Sequence, residues 1–208
     1  MIIAIDGPAG AGKSTVARAV AERLGFTFLD TGAMYRCVGL AALETGEPAA
    51  ELAERLDLEI GDRIFMDGRD VTEAIRTPQV SEAASRVAAD PGVRAALVRK
   101  QQAIMAEGDW VAEGRDIASV VAPDAAVKVF LFASPEERAR RRAEQTGRDV
   151  QTELARQRAR DQRDASDRRS VLEPANDAVP VDTTGLSLDD VIEQIVTLAT
   201  EAKEIGAS

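Results

Sequence analysis

The sequence predicts an α/β fold in which helices flank a doubly wound parallel sheet. A β-branched run at residues 2–5 is followed by a helical pattern at 13–24 and a second extended run at 26–29. Strand, helix and strand at this spacing form a βαβ unit, whose strands are parallel. Two further apolar runs, at 110–113 and 127–132, supply more candidate core strands.

Length and charge narrow the class of protein. The 208 residues correspond to about one domain, and a chain of this size buries about 70 % of its unfolded surface. The formal charge of −10 argues against a general nucleic-acid or membrane-surface binder. The apolar start is too short for a signal peptide, no apolar span suits a membrane helix, and the chain has a single thiol. We therefore expect a cytoplasmic protein.

Two missing residue types limit the chemistry. The chain contains no histidine and a single cysteine, Cys37. This excludes Ser-His-Asp and Cys-His catalysis, His-liganded metals, Cys-cluster metal sites and intramolecular disulfides. The remaining groups are Lys, Arg, Asp, Glu, hydroxyls and backbone amides, a set suited to phosphoryl transfer, in which positioning and charge neutralisation dominate.

The elements between the first βαβ unit and the later strands are mostly helical. A helix is predicted over 34–42, ending near Gly46. Residues 47–75 change in character and are predicted to be a small insertion: a short helix at 49–56, then an extended stretch at 58–71. Asp67-Gly68 within that stretch is a hairpin signal. Helices follow at 78–89 and 91–107, the second capped by Asp90.

Helices and one further strand are predicted in the C-terminal part of the chain. Ser134-Pro135-Glu136-Glu137 is a capping box with proline at the first helical position, so a helix begins there. Thr146-Gly147 interrupts that helix, which resumes at 149–166. A last strand is predicted at 178–181 and a final amphipathic helix at 187–205. The whole pattern predicts one domain, residues 1–208.

A phosphate-binding loop lies between the first strand and the first helix. Residues 7–14 fit the pattern G-x-x-x-x-G-K-[ST] in the strand–loop–helix context that the pattern requires. The glycines allow the backbone N–H groups to face an anion, and the following helix adds its positive end. Lys13 can reach the β- and γ-phosphates, and the Ser14 hydroxyl can bind Mg²⁺. The loop predicts binding of a nucleoside triphosphate.

Other residues indicate which kind of nucleotide-binding protein this is. A GTPase switch carries an N-K-x-D motif, but the only asparagine is Asn176. A motor or transporter ATPase ends a strand with an acidic pair, whereas the run at 130–132 ends in Ala-Ser. A small kinase remains. Asp6 either orients a Mg²⁺-bound water or caps the loop backbone, Asp30 is predicted to cap a helix, and Cys37 is predicted to be a core thiol.

The basic residues are mainly arginine, which suits phosphate binding because the guanidinium is planar and permanently charged. Of the 22 arginines, eleven lie between residues 138 and 169. Arg156 and Arg158 are interpreted as solvated members of ion pairs. A flap at about 138–165, closing over phosphates, is predicted from Arg138, Arg141, Arg142 and Arg148. An acceptor that is itself a phosphate would explain the more isolated Arg36, Arg94 and Arg115.

At the level of longer motifs, the chain resembles the bacterial cytidylate kinase family, within the nucleoside-monophosphate kinases. The resemblance covers nearly the whole length in the family's order. It is carried by IDGPAGAGKST (5–15), LDTGAMYR (29–36), DVTEAIRTPQVS (70–81), PGVRAALVRKQ (91–101), VAEGRDI (111–117), VAPDAAVKVFLFASPEERARRR (121–142), RDQRD (160–164) and DAVPVDTTGLS (177–187).

The resemblance implies transfer of the γ-phosphate of ATP to CMP or dCMP with Mg²⁺, by a monomer that binds neither nucleic acid nor membrane. It implies a monophosphate-binding region at about 31–105, with its small extension at 47–75. The alternatives are another small-molecule kinase of this fold, acting on UMP, AMP or shikimate, and a non-catalytic ATP-binding regulator.

The resemblance also implies the site residues. Those implied for ATP are Gly7, Pro8, Ala9, Gly10, Ala11, Gly12, Lys13, Ser14, Thr15, Arg138, Arg141 and Arg142, with Ser14 on the metal. Those implied for CMP are Thr31, Arg36, Ser85, Arg94, Arg115, Asp116, Arg160, Asp164 and Arg168. Of the CMP set, the contacts to cytosine or ribose are assigned to Ser85, Arg94 and Asp116. The predicted catalytic residues are Lys13, Arg115 and Arg160.

The chain departs from the family pattern at two places. The family often has an arginine three residues after the aspartate equivalent to Asp164, and here Asp167 occupies that position, with Arg168 next. The Gly-Thr that usually follows the GRDI block is Ala118-Ser119. Either Arg168 takes over the contact with the acceptor phosphate by a small shift, or that contact is lost. The second change removes no charged ligand.

Overall fold

The computed structural model of the chain describes residues 1–166 and 174–206. The described strands are β1 (Ile2–Asp6), β2 (Thr27–Asp30), β3 (Leu58–Ile60), β4 (Ile64–Met66), β5 (Arg69–Asp70), β6 (Trp110–Glu113), β7 (Val127–Phe132) and β8 (Val179–Asp182). The described helices are α1 (Lys13–Leu24), α2 (Thr31–Thr45), α3 (Ala49–Arg55), α4 (Pro78–Val87), α5 (Pro91–Ile104), α6 (Pro135–Thr146), α7 (Val150–Ser166) and α8 (Leu188–Gly206).

The larger sheet has five strands in the order β2-β6-β1-β7-β8. Strand β1 pairs in parallel with β6, with Ile3 opposite Val111, and with β7, with Ile3 opposite Val127. Successive strands are added on both sides of β1, so the strand order reverses there. This confirms the doubly wound parallel sheet flanked by helices. In such sheets ligands bind outside the carboxyl ends of the strands, at the point of reversal.

The chain divides into two compact units, and the first comprises residues 1–28 and 108–208. Its core joins the sheet to helices α1 and α8, which pack against each other. Ile3 and Ile5 of β1, Val20 of α1 and Ile195 of α8 are fully buried in one apolar cluster. Helices α6 and α7, which occupy the predicted flap, also pack against each other.

The second unit, residues 29–107, contains a helical cluster and a small antiparallel sheet of β3, β4 and β5. Asp67 and Gly68 connect β4 to β5 with φ angles of 51° and 74°, as the predicted hairpin requires. Cys37 is fully buried in the core of this unit, which confirms the predicted core thiol. Burial raises the pKa of the Cys37 thiol to about 12. The unit spans nearly the residues predicted to bind the monophosphate, and that role stays a prediction.

Capping residues explain where most helices begin and end. Asp90 accepts hydrogen bonds from the N–H groups of Gly92 and Val93, and Ser134 from that of Glu137. Helix α2 begins at Thr31, three residues before the predicted start, because Asp30 caps it through the N–H of Ala33. Among the described residues, no helix combines the length and the apolarity needed to cross a membrane.

Candidate active site

The loop at residues 7–14 follows β1 and leads directly into α1. Gly7 has a φ of 146°, and a Cβ placed there would lie 1.9 Å from the carbonyl oxygen of Leu131 on β7. A side chain at this position therefore collides with backbone, so the close approach requires glycine. The loop lies at the carboxyl end of the central strand, where the reversal of strand order predicts a ligand.

Lys13 is buried at the start of α1, with 8 % of its surface exposed. Its Nζ donates a hydrogen bond to the carbonyl oxygen of Pro8, at 3.0 Å. The Lys13 ammonium thus lies against the backbone of the loop to which it belongs. The ammonium adds its positive charge to that of the N-terminal end of α1, and both favour an anion at this position. Contact with phosphate stays a prediction.

Two arginines of α6 contact the same loop. Arg138 Nη1 donates to the carbonyl oxygen of Ala9 at 3.0 Å, and Arg141 Nη1 lies 3.5 Å from that of Ala11. A loop that turns its N–H groups toward an anion turns carbonyl groups away from it, and those carbonyls need donors of their own. The two guanidinium groups supply such donors.

Three arginines of α6, Arg138, Arg141 and Arg142, are predicted to bind ATP, and the structure gives them protein partners. Arg138 is 4 % exposed and bridges Ala9, Ala133 and Asp161. Arg142 is exposed and donates to Gln145. Arg141 donates to Glu137 and to both oxygens of Thr183. Contact of these arginines with ATP stays a prediction.

Glu113 is a candidate functional residue that sequence analysis missed. It ends β6, the strand beside β1, and is 5 % exposed. Its Oε1 accepts a hydrogen bond of 2.6 Å from the Ser14 hydroxyl. The signal in the sequence is that the apolar run at 110–113 ends in an acidic residue, as the run at 130–132 does not.

The pair formed by Ser14 and Glu113 suits a hard cation, since Mg²⁺ prefers oxygen ligands. Within residues 1–166 and 174–206, no group of three or more Asp, Glu, His or Cys side chains could hold a metal. Mg²⁺ in proteins commonly keeps several waters and takes one or two protein ligands plus substrate phosphates. The hydroxyl and carboxylate found here fit that donor set.

Asp6 anchors a different segment from the one predicted. Its carboxylate accepts hydrogen bonds from the N–H groups of Ile117 and Ala118, at 2.9 and 2.8 Å. The predicted backbone cap therefore exists, but on the turn that follows β6 rather than on the phosphate loop. Burial raises the pKa of Asp6, while these two bonds oppose the rise. Through this contact Asp6 fixes the backbone next to Arg115 and Asp116.

Comparison with known proteins identifies the family. The family model for cytidylate kinase matches residues 3–201. The chain belongs to the cytidylate kinase family. A cytidylate kinase of Carboxydothermus hydrogenoformans is 48 % identical, covering 95 % of this chain and 96 % of that protein. Another, from Desulfitobacterium hafniense, is 45 % identical, covering 98 % and 94 %.

Solved structures agree on the fold. A gluconokinase from Sinorhizobium meliloti aligns with a TM-score of 0.54 at 18 % identity, covering 98 % of this chain and 94 % of that one. At this identity the likeness concerns the fold alone. It is consistent with the parallel sheet flanked by helices.

Four of the residues that the cytidylate kinase family implies for CMP lie in the second unit. Thr31 and Arg36 are on α2, Ser85 on α4 and Arg94 on α5. Thr31 is buried and the other three are half-buried. Helix α2 packs against both α4 and α5, so these residues belong to one helical cluster. Their contact with CMP stays a prediction.

The remaining implied CMP residues lie in the first unit. Arg115 and Asp116 lie just after β6, separated from it by Gly114, and are half-buried. Arg160 and Asp164 fall within α7. Arg168, like Asp167, lies outside the described residues, so the replacement suggested for the family arginine stays a prediction.

Proposed function

We propose that this chain transfers the γ-phosphate of ATP to CMP or dCMP, giving ADP and CDP or dCDP. The observation that carries the proposal is membership of the cytidylate kinase family over residues 3–201, with the phosphate loop intact. We also propose that it acts as a cytoplasmic monomer without nucleic acid or membrane partners.

On the donor side, the loop amides and Lys13 bind the β- and γ-phosphates of ATP. Ser14 and Glu113 would hold Mg²⁺, which neutralises phosphate charge when bound. The transition state of phosphoryl transfer is loose and spreads negative charge over the moving group. Lys13, already buried at the loop, stabilises that charge in a site of low dielectric.

On the acceptor side, no general base is required. A phosphate monoester has a second pKa near 6, so CMP arrives mostly as a dianion whose oxygen is already nucleophilic. This agrees with a chain that lacks histidine. Arg36, Arg115 and Arg160 grip the acceptor phosphate in this proposal, and Ser85, Arg94 and Asp116 read the nucleoside.

The test measures ADP release from ATP and Mg²⁺ with CMP, dCMP, UMP, AMP and shikimate side by side. We expect turnover with CMP and dCMP well above the other three acceptors. Lys13→Ala should lower kcat by at least about a hundredfold, because it removes a charge aimed at the transition state. Preferred turnover of another acceptor, or none with any acceptor, would contradict the proposal.

A further inference from the structure

We propose that Asp161 is a positioning residue for the ATP site: it holds the guanidinium of Arg138 against the carbonyl of Ala9 and so fixes the shape of the phosphate loop. The inference rests on the proposed function only in that the loop binds ATP. Asp161 lies within the RDQRD block at 160–164, but neither the resemblance nor the proposed mechanism gives it a role.

The contact between Asp161 and Arg138 joins helices α7 and α6. Arg138 Nη2 donates to Asp161 Oδ2 at 2.8 Å, and Nη1 lies 3.3 Å from Oδ1. The two side chains are 5 % and 19 % exposed. A bidentate contact between side chains this deeply buried fixes the plane of the guanidinium as well as its position.

The other donors of Arg138 are used to hold backbone. Nε donates to the carbonyl oxygen of Ala133 at 3.2 Å, and Nη1 to that of Ala9 at 3.0 Å. Together with the two contacts to Asp161, these occupy four of the five N–H groups of an arginine. A bidentate grip on a nucleotide phosphate would require these bonds to break.

Because of the geometry of the peptide unit, the hydrogen bond from Arg138 to the Ala9 oxygen also affects the neighbouring N–H group. The carbonyl of Ala9 and the N–H of Gly10 belong to one planar trans peptide, so they point in opposite directions. A donor that pins the Ala9 oxygen therefore also sets the direction of the Gly10 N–H. Gly10 lies within the phosphate-binding pattern, whose function depends on N–H groups facing the anion.

A second residue of α7, Gln157, contacts Arg138 and lies close to Gly10. Gln157 Nε2 donates to the carbonyl oxygen of Arg138 at 2.9 Å. A Cβ placed on Gly10 would lie 3.0 Å from that Nε2 and 3.2 Å from the Arg138 Cβ. Gln157 and Asp161 are four residues apart and so lie on one face of α7. This face is thus packed against the middle of the phosphate loop.

The test compares binding of a non-hydrolysable ATP analogue with Mg²⁺, and separately of CMP, to the wild-type chain and to Asp161→Asn by calorimetry. Asparagine keeps the shape but loses the charge and one acceptor oxygen. We expect the Kd for the ATP analogue to rise at least about tenfold, because a small displacement of a positioning group is costly. The Kd for CMP should stay within about twofold, since four of its predicted ligands, Thr31, Arg36, Ser85 and Arg94, lie in the second unit.

Further variants keep the test independent of folding. Arg138→Lys retains the charge but cannot bridge Asp161 and both carbonyls at once, so it should weaken the ATP analogue similarly. In an Arg138→Ala background, Asp161→Asn should cause no additional loss, because Asp161 acts through Arg138. The matched control is Glu136→Gln, since Glu136 joins the same two helices through an exposed pair with Arg158 at 3.4 Å. It should change neither Kd.

The outcomes separate this inference from the proposed function. A wild-type chain that binds the ATP analogue but not CMP would overturn the proposed function and leave the role of Asp161 intact. Unchanged binding of the analogue by Asp161→Asn would overturn the positioning role alone. Equal losses of both ligands, in proportion to a lower melting temperature, would show a purely structural role and overturn it as well.

Discussion

Glu137 shows at the scale of one residue how the arginine-rich segment is organised. Its carboxylate accepts hydrogen bonds from Arg140 Nη2 and Arg141 Nε, both at 2.8 Å, and from Arg140 Nε at 2.9 Å. These bonds, those of Arg140 above all, lower the pKa of Glu137 from 4.5 to about 2. The same contacts orient Arg141, which lies against the phosphate loop.

The lowered pKa of Glu137 predicts a dependence of stability on pH. An acid whose pKa is lower in the folded state stabilises the fold above its unfolded pKa, and this contribution is lost as the pH falls through the folded value. At pH 7 we expect Glu137→Gln to lower the free energy of unfolding by about 1 kcal/mol, allowing for solvent screening. The difference should shrink between pH 4.5 and about 2.

Urea unfolding of both proteins at pH 7, 5 and 3 checks this prediction. Glu144→Gln is the control, because Glu144 pairs with the same Arg140 but its side chain is 63 % exposed. It should change the free energy of unfolding by less than about 0.5 kcal/mol. A Glu137→Gln difference as large at pH 3 as at pH 7 would refute the assignment.

Individual side chains were predictable where their function depends on local sequence. The pattern at 7–14 identified Gly7 and Lys13 because the strand, loop and helix are contiguous. The partners of Asp6 and Ser14 were not predictable, because Ile117 is 111 residues from Asp6 and Glu113 is 99 residues from Ser14. Only the pairing of β1 with β6 brings those positions together.

At the scale of elements, the crossing of α2 and α4 depends on one glycine. A Cβ placed on Gly39 would lie 2.8 Å from the backbone nitrogen of Ala84 and 3.1 Å from the carbonyl carbon of Ala83. The two helices therefore pack closely at this point. Ser85, predicted to contact CMP, is the next residue on α4.

We predict that Gly39→Ala destabilises the protein, although alanine favours a helix by about 1 kcal/mol over glycine. The new Cβ meets backbone that cannot rotate away, and such overpacking costs about 1–3 kcal/mol, so the clash outweighs the propensity. The KM for CMP should also rise as Ser85 shifts, while the KM for ATP stays unchanged. Chemical denaturation and steady-state kinetics measure the two effects.

Gly61→Ala is the matched control in the same unit. Its Cβ would lie 3.8 Å from the carbonyl oxygen of Arg63, an ordinary contact. We expect a change below about 0.5 kcal/mol and unaltered KM values. A Gly39→Ala variant as stable as this control would show that the helices can separate at no cost.

Helix boundaries were predictable because caps are local signals. Gly25 and Gly147 end α1 and α6 with φ angles of 68° and 67°, as expected from the sequence. The close crossing at Gly39 was not, because a helical glycine with ordinary φ carries no signal of what lies opposite it. The π-helical turn Ile117–Val121 was not predictable either, because it depends on the distant Asp6.

At the scale of the whole molecule, the site residues divide between the two compact units. The loop and the α6 arginines lie in the unit formed by residues 1–28 and 108–208. Four predicted CMP residues lie in the unit formed by residues 29–107. If the proposed roles hold, each substrate has its own pattern of protection.

Hydrogen–deuterium exchange measures that pattern. We expect the ATP analogue to slow exchange at 7–15 and 135–146, and CMP to slow it at 31–45 and 78–104. At a ligand concentration of about 100 times the Kd, the slowing can reach about a hundredfold for amides that exchange only from the free state. Protection by CMP confined to the first unit would contradict the assignment of Thr31, Arg36, Ser85 and Arg94.

The strand order has a consequence for how the chain is made. The neighbours of β1 in the sheet are β6 and β7, which begin only at Trp110 and Val127. The second unit is one uninterrupted stretch of 79 residues, from Leu29 to Glu107. During synthesis, all residues of this unit's apolar core are therefore available before either strand that pairs with β1 has been made. The phosphate loop, which follows β1, is consequently expected to form late during synthesis of the chain.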